Sequence, residues 1–172
     1  MTSKKNPPVL DYPKSLEEML AVSQSVNLSL LHAIPDAVWN APPPFGKGRG
    51  IASLFAHIHN VRLMWLAAQK RADIPAKVDP GTLTKAAARK ALEESASALR
   101  LVIREATRAP EGRIRDFKPN VAHFVAYLIS HEAHHRGQIA QLARLLGGAL
   151  DQKTMFGMWQ WSTHWREAGF EA

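Results

Sequence analysis

The chain has 172 residues, with 22 Lys and Arg against 15 Asp and Glu for a formal charge of +7, eight His and no Cys. That length suits one domain, which buries about 70% of its unfolded surface and supports a core without disulfide staples. The absent thiol excludes disulfides, thiolate metal sites, iron–sulfur clusters and a cysteine nucleophile, so any thiol chemistry must draw its sulfur from a substrate.

A composition of 46% apolar and 22% charged residues is ordinary for a globular chain. The stretch from Val121 to Ile129 is interrupted by His123, and no apolar run reaches the roughly 20 residues that span a bilayer. Lys4-Lys5 are not followed by an apolar segment of the secretory type, so the sequence predicts a soluble, cytoplasmic protein without a membrane partner. The positive charge raises the question of nucleic acid. Lys and Arg are scattered singly or in pairs, with no basic stripe and no interleaved stacking aromatics, so no nucleic-acid partner is predicted.

In chain order, residues 1–14 are Pro-rich and read as an extended arm before a single domain over 15–172. From Ser15, with Glu17-Glu18 behind it, Leu16, Met19, Leu20, Ser23, Val26, Leu30 and Leu31 recur at three- and four-residue spacing and predict a helix ending near Pro35. Asn40 to Gly50 holds three Pro and three Gly; its Gly-Lys-Gly-Arg-Gly run lacks phosphate-loop spacing and reads as a flexible linker. A second helix is expected from Ile51 to Arg71, with Leu54, Phe55, Ile58, Val61, Trp65 and Leu66 on its apolar face. After Asp79-Pro80-Gly81, an Ala-rich helix runs to Thr107, ended by Pro110 and Gly112. Asn120 is the expected N-cap of a fourth long helix stopped by Gly147-Gly148, and a short helix from Thr154 to Glu167 carries Trp159, Trp161 and Trp165. No period-two strand signal is present. The pattern predicts an all-α fold: an antiparallel four-helix bundle with a short C-terminal helix, joined in part by long connections such as 35–50.

On the fourth long helix, His131 and His135 are one turn apart on the apolar face, the spacing at which two imidazoles chelate one divalent ion. Two imidazoles alone make a weak site. His57 and His59 on the second helix are the candidate third ligands, and the helical wheel leaves both open. Gln138 and Tyr127, one turn beyond and one turn before the pair, are candidates for orienting ligands or substrate, and Arg136 for binding a carboxylate. Trp65 reads as core. His131-Glu132-Ala133-His134-His135 also fits the H-E-x-x-H pattern of zinc proteases, in which the Glu is general base. Gln138 and Gln141 stand where the extended protease motif needs Gly and His, no strand is available to hold a peptide, and Glu132 at i+4 from Arg136 reads as a solvated surface pair.

The segment His-Glu-Ala-His-His-Arg-Gly-Gln over 131–138, together with Leu54 to Trp65, resembles the DinB/YfiT-like superfamily of metal-dependent enzymes, distinct from the polymerase that shares the DinB name. The resemblance covers residues 15–170. It implies a four-helix bundle with a three-His metal site, in which His57, eight residues before Trp65, matches the helix-two ligand and His131 and His135 match the motif pair; His59 is then a neighbour. It further implies a small-molecule substrate, a thiol-S-transferase or hydrolase reaction, a low-molecular-weight thiol as cosubstrate, and a homodimer. Zn²⁺ or Ni²⁺ is the expected ion, with Mn²⁺ and Fe²⁺ also compatible with imidazole donors. The competing expectation is a non-catalytic metal-binding or stress-response bundle.

Overall fold

The computed structural model describes residues 10–44 and 46–171. These residues form an all-α fold of seven helices: α1 Tyr12–Ala33, α2 Asp36–Trp39, α3 Ile51–Ala68, α4 Lys85–Arg108, α5 Val121–Leu145, α6 Gln152–Gly157 and α7 Trp161–Glu167. None of them is long and apolar enough to cross a membrane.

Local chemistry sets the ends of these helices. Asn120 caps α5 by accepting from the backbone of Ala122 and His123, and Thr84 caps α4 through Ala87 N–H. The α5 stop uses two glycines for different reasons. Gly147 adopts φ +83, while a Cβ on Gly148 would come within 2.9 Å of Val38. The first helix starts at Tyr12 rather than Ser15, because Asp11 accepts from Lys14 N–H and Pro13 is tolerated in a first turn whose amide would be unpaired. Of the predicted arm, residues 1–9 lie outside the described residues. The tail is two short helices rather than one, broken over Met158–Gln160.

The four long helices pack in a ring in which α1 and α3 each touch both α4 and α5. Glu17 near the start of α1 meets Arg104 near the end of α4, and Lys85 at the start of α4 reaches the Ile34 carbonyl beyond the end of α1, so this pair is antiparallel. His57 and Trp65 of α3 meet His135 and Phe124 of α5 in reverse order, making a second antiparallel pair. The connection 69–84 returns along the bundle, so α4 runs parallel to α3. His59 and Asn60 hold that connection against α3: His59 Nε2 lies 2.9 Å from the Ala76 carbonyl, and the Asn60 amide bonds Val78 at both its N–H and its C=O. The tail is held to α1 where Ser25 Oγ meets His164 Nδ1 at 2.9 Å and Glu167 Oε2 at 2.9 Å.

Two apolar clusters fill the bundle, one around Leu30, Ile51, Phe55, Leu92 and Ile139, the other around Leu20, Leu66, Leu99, Ile103 and Phe124. A polar layer lies between them. Arg62 of α3, fully buried, donates from Nε to Glu132 Oε1 at 2.7 Å and from Nη1 to Gln24 Oε1 at 2.8 Å and the Leu92 carbonyl at 3.0 Å. Glu132 also accepts from Asn27 Nδ2 at 2.7 Å and Ser23 Oγ at 3.1 Å. The expectation that Glu132 is a surface partner of Arg136 is therefore corrected: its side chain is 1% exposed. The helical rhythm explains it, since Glu132 follows Leu128 and precedes Ile139 on the apolar stripe of α5. Burial alone would push its carboxyl up, but the Arg62 cation and the Arg62 and Asn27 hydrogen bonds bring it below the ordinary value, so it stays ionised.

Removing one member of such a pair strands a buried charge. Glu132→Ala should cost about 3–5 kcal/mol in urea unfolding, whereas the apolar double replacement Arg62→Met, Glu132→Leu should recover most of that loss. A loss below about 1 kcal/mol for Glu132→Ala would show that the layer does not hold the helices together.

Candidate metal centre

One face of α5 looks into the polar layer and the flank next to it looks at α3. His131 and His135 occupy that flank. Their Nε2 atoms are 3.1 Å apart, and the His57 ring of α3 lies with its centroid 5.3 Å from His131 and 4.7 Å from His135, edge-on to the latter. One nitrogen from each of the three rings falls within 4.8 Å of the others, so the group can hold a metal ion.

The donor chemistry fits a divalent ion. A tetrahedral zinc with Zn–N bonds near 2.0 Å separates its imidazole nitrogens by about 3.3 Å, close to the His131–His135 spacing. His135 Nδ1 lies 2.7 Å from Gln138 Oε1; a carbonyl oxygen only accepts, so Nδ1 carries the proton and Nε2 keeps its lone pair for the cluster. Desolvation pushes all three imidazoles below their ordinary value, His57 to about 4, aided there by the Arg49 cation and the two neighbouring His. They are neutral near pH 7, the state in which imidazole binds metal.

The other residues singled out in the sequence fall as follows. His59 is two residues from His57, which turns it about 200° around α3, and its buried ring faces the 69–84 connection instead of the cluster. Tyr127 stacks on His131 with centroids 6.1 Å apart and forms an aromatic group with Trp65, Phe117 and Phe124. Arg136 does not reach the His cluster: its Nη1 donates to Asn27 Oδ1 at 2.7 Å and Ser23 Oγ at 3.2 Å on α1. Glu132, held by Arg62, Asn27 and Ser23, is turned away from the three His, which removes the general base that the zinc-protease reading requires. Arg62 was not among the residues picked out in the sequence. Its signal is its register, four residues after Ile58 and four before Leu66, both fully buried.

An open cleft of about 650 Å³ lies between α5 and Pro43, Pro44 and Lys47–Arg49, lined by Gln138, His134, Leu54, Lys47 and Arg49 among others, and the Gln138 bond to His135 connects it to the cluster.

Bundle and cluster together define an all-α protein with a three-histidine group, compatible with a bound divalent metal. The chain belongs to the DinB superfamily, whose family model matches residues 19–139, a span that includes all three His of the cluster. No similar protein was found among curated proteins or among solved structures.

The lowered imidazoles give the metal-free protein a defined acid response. Between about pH 6.5 and about pH 4 the unfolded chain binds protons that folded His57 refuses, so stability falls as the pH drops through that window. Urea midpoints of the metal-free chain should decline from pH 6.5 to pH 4.5, and His57→Gln should flatten the decline; an unchanged slope in the variant would contradict the shifted value.

Proposed function

We propose that the protein is a metal-dependent enzyme in which His57, His131 and His135 bind one divalent ion, Zn²⁺ or Ni²⁺ in first place, and that the site acts on a small-molecule substrate as a thiol-S-transferase or a hydrolase. The observation that carries this reading is the convergence of three neutral imidazoles from two helices, one of them bonded to Gln138 in the wall of a cleft. His57, His131 and His135 would hold the ion, which would lower the pKa of a thiol or water beside it and so supply a nucleophile near neutral pH.

The chain's own residues supply the rest. Gln138 fixes the tautomer and ring plane of His135, and Tyr127, stacked on His131, limits the rotation of that ring. The aromatic group around Trp65 closes the α5 N-terminal side of the cluster and leaves the cleft side open to solvent and ligand. With no cysteine in the chain, a sulfur nucleophile would arrive as a low-molecular-weight thiol. We further infer a homodimer located in the cytoplasm, testable by light scattering at high concentration.

Equilibrium dialysis of untagged protein against Zn²⁺ and Ni²⁺ tests the site. Wild type should take up about one equivalent; His57→Ala, His131→Ala and His135→Ala should each weaken binding by more than about 100-fold, and Gln138→Ala by about tenfold. His59→Gln should bind as wild type does. Wild-type protein that takes up no ion, or loss of binding in His59→Gln with His57→Ala unaffected, would contradict the assignment.

A further inference from the structure

The Gly-Lys-Gly-Arg-Gly segment at 46–50 has the composition of a linker, yet it forms a wall of the cleft beside the His cluster. Two cations, Lys47 and Arg49, stand in that wall, and both are exposed. No Asp or Glu lines the cleft, and neither cation takes part in an ion pair among the described residues, whereas Arg62, Arg71, Lys85, Arg89 and Arg104 all do. The opposite wall, on α5, offers the hydrogen-bonding side chains Gln138, Gln141 and His134. Gln138 joins cleft and cluster directly through its bond to His135, and Leu54 lies one turn before His57 on α3.

Two unneutralised cations beside neutral imidazoles leave the cleft positive, and a concave positive surface raises the local concentration of anions. The Arg49 guanidinium can also grip a carboxylate or phosphate with two parallel N–H donors, which a lone ammonium does not do. We propose that this cleft is the substrate entrance of the His site and that it selects small acids, with a carboxylate or phosphate group held by Lys47 and Arg49 and the remainder of the ligand directed at His57, His131 and His135. The proposal rests on the metal-site reading for its reacting end, but its anion-binding half stands on the cleft alone. It makes Lys47 and Arg49 determinants of specificity rather than of chemistry, since neither contributes to the cluster.

The test uses the full chain, metal-free and loaded with Co²⁺, with succinate and inorganic phosphate as probes and uncharged succinamide as control, followed by chemical-shift titration at low salt. Wild type should bind at least one of the two anions about tenfold more tightly than the Lys47→Gln, Arg49→Gln double variant, and more weakly as salt is raised, while succinamide should not distinguish the two proteins. Co²⁺ uptake should be the same in both, because the variant leaves all three His in place. In the loaded wild-type chain the bound anion should perturb the visible absorption of the cobalt. Equal anion affinity in wild type and variant, or no binding of either anion to wild type, would overturn the proposal; anion binding without any change in the cobalt spectrum would overturn the link to the His cluster. Failure of wild type to take up Co²⁺ would count against the metal site itself, and the metal-free titration would still decide the anion-binding cleft.

Discussion

Arg62 is the point on which the bundle turns. It rises from α3 into the centre of the molecule and makes a hydrogen bond to each of the other three long helices: Gln24 on α1, the Leu92 carbonyl on α4 and Glu132 on α5. A guanidinium taken out of water carries a desolvation cost of several kcal/mol, which only a dense set of well-placed acceptors offsets. The chain supplies acceptors to Nε and Nη1 at one level of the bundle, with apolar clusters above and below it, and leaves Nη2 buried without a partner among the described residues. Apolar contacts tolerate sliding, because one Leu replaces another at small cost. Directional bonds to a planar fork do not, so the polar layer fixes the register of all four helices.

That register is what places the histidines. Glu132 and His131 are adjacent on α5, about 100° apart around the helix. Once Glu132 is bound to Arg62, His131 and His135 have to face the α3 flank, where His57 lies five residues before Arg62. The H-E-x-x-H string thus divides its labour: the two His face His57 of α3 while the Glu faces the structural cation. A motif associated with peptide hydrolysis elsewhere serves here to join a candidate site to its scaffold.

Much of this was legible in the sequence, for specific reasons. Three of the four long helices were visible because Leu16 to Leu31, Leu54 to Leu66 and Leu128 to Ile139 keep the helical period, α4 because its start at 85–92 is rich in Ala, and the ends of α5 because Asn120, Gly147 and Gly148 punctuate it chemically. The four-residue helix α2 is too short to show a period, and the break at Met158–Gln160 carries no Pro to announce it. Glu132 was misread because an i+4 partner, Arg136, offered an ordinary surface explanation. The two charged residues that matter most occupy apolar stripes, Arg62 between Ile58 and Leu66 and Glu132 between Leu128 and Ile139, and a charge flanked by buried apolar residues at helical spacing, i±4 for Arg62 and i−4 and i+7 for Glu132, is the signal that finds them. The choice between His57 and His59 depended on which helix each ring would face. The path of residues 69–84, a tertiary fact with no local signature, places the Ala76 carbonyl against His59, which supports His57 as the proposed ligand.

The frame built on Arg62 and Glu132 brings one nitrogen from each of three imidazoles within 4.8 Å of the others, close enough for one ion. X-ray absorption on zinc-loaded, untagged protein tests joint binding by the three most directly, because imidazole rings leave a characteristic outer-shell scattering pattern. Three imidazole nitrogens at about 2.0 Å are expected, with the remaining coordination supplied by an oxygen donor. A first shell with one or two imidazoles, or a spectrum unchanged in His57→Ala, would contradict a three-histidine site.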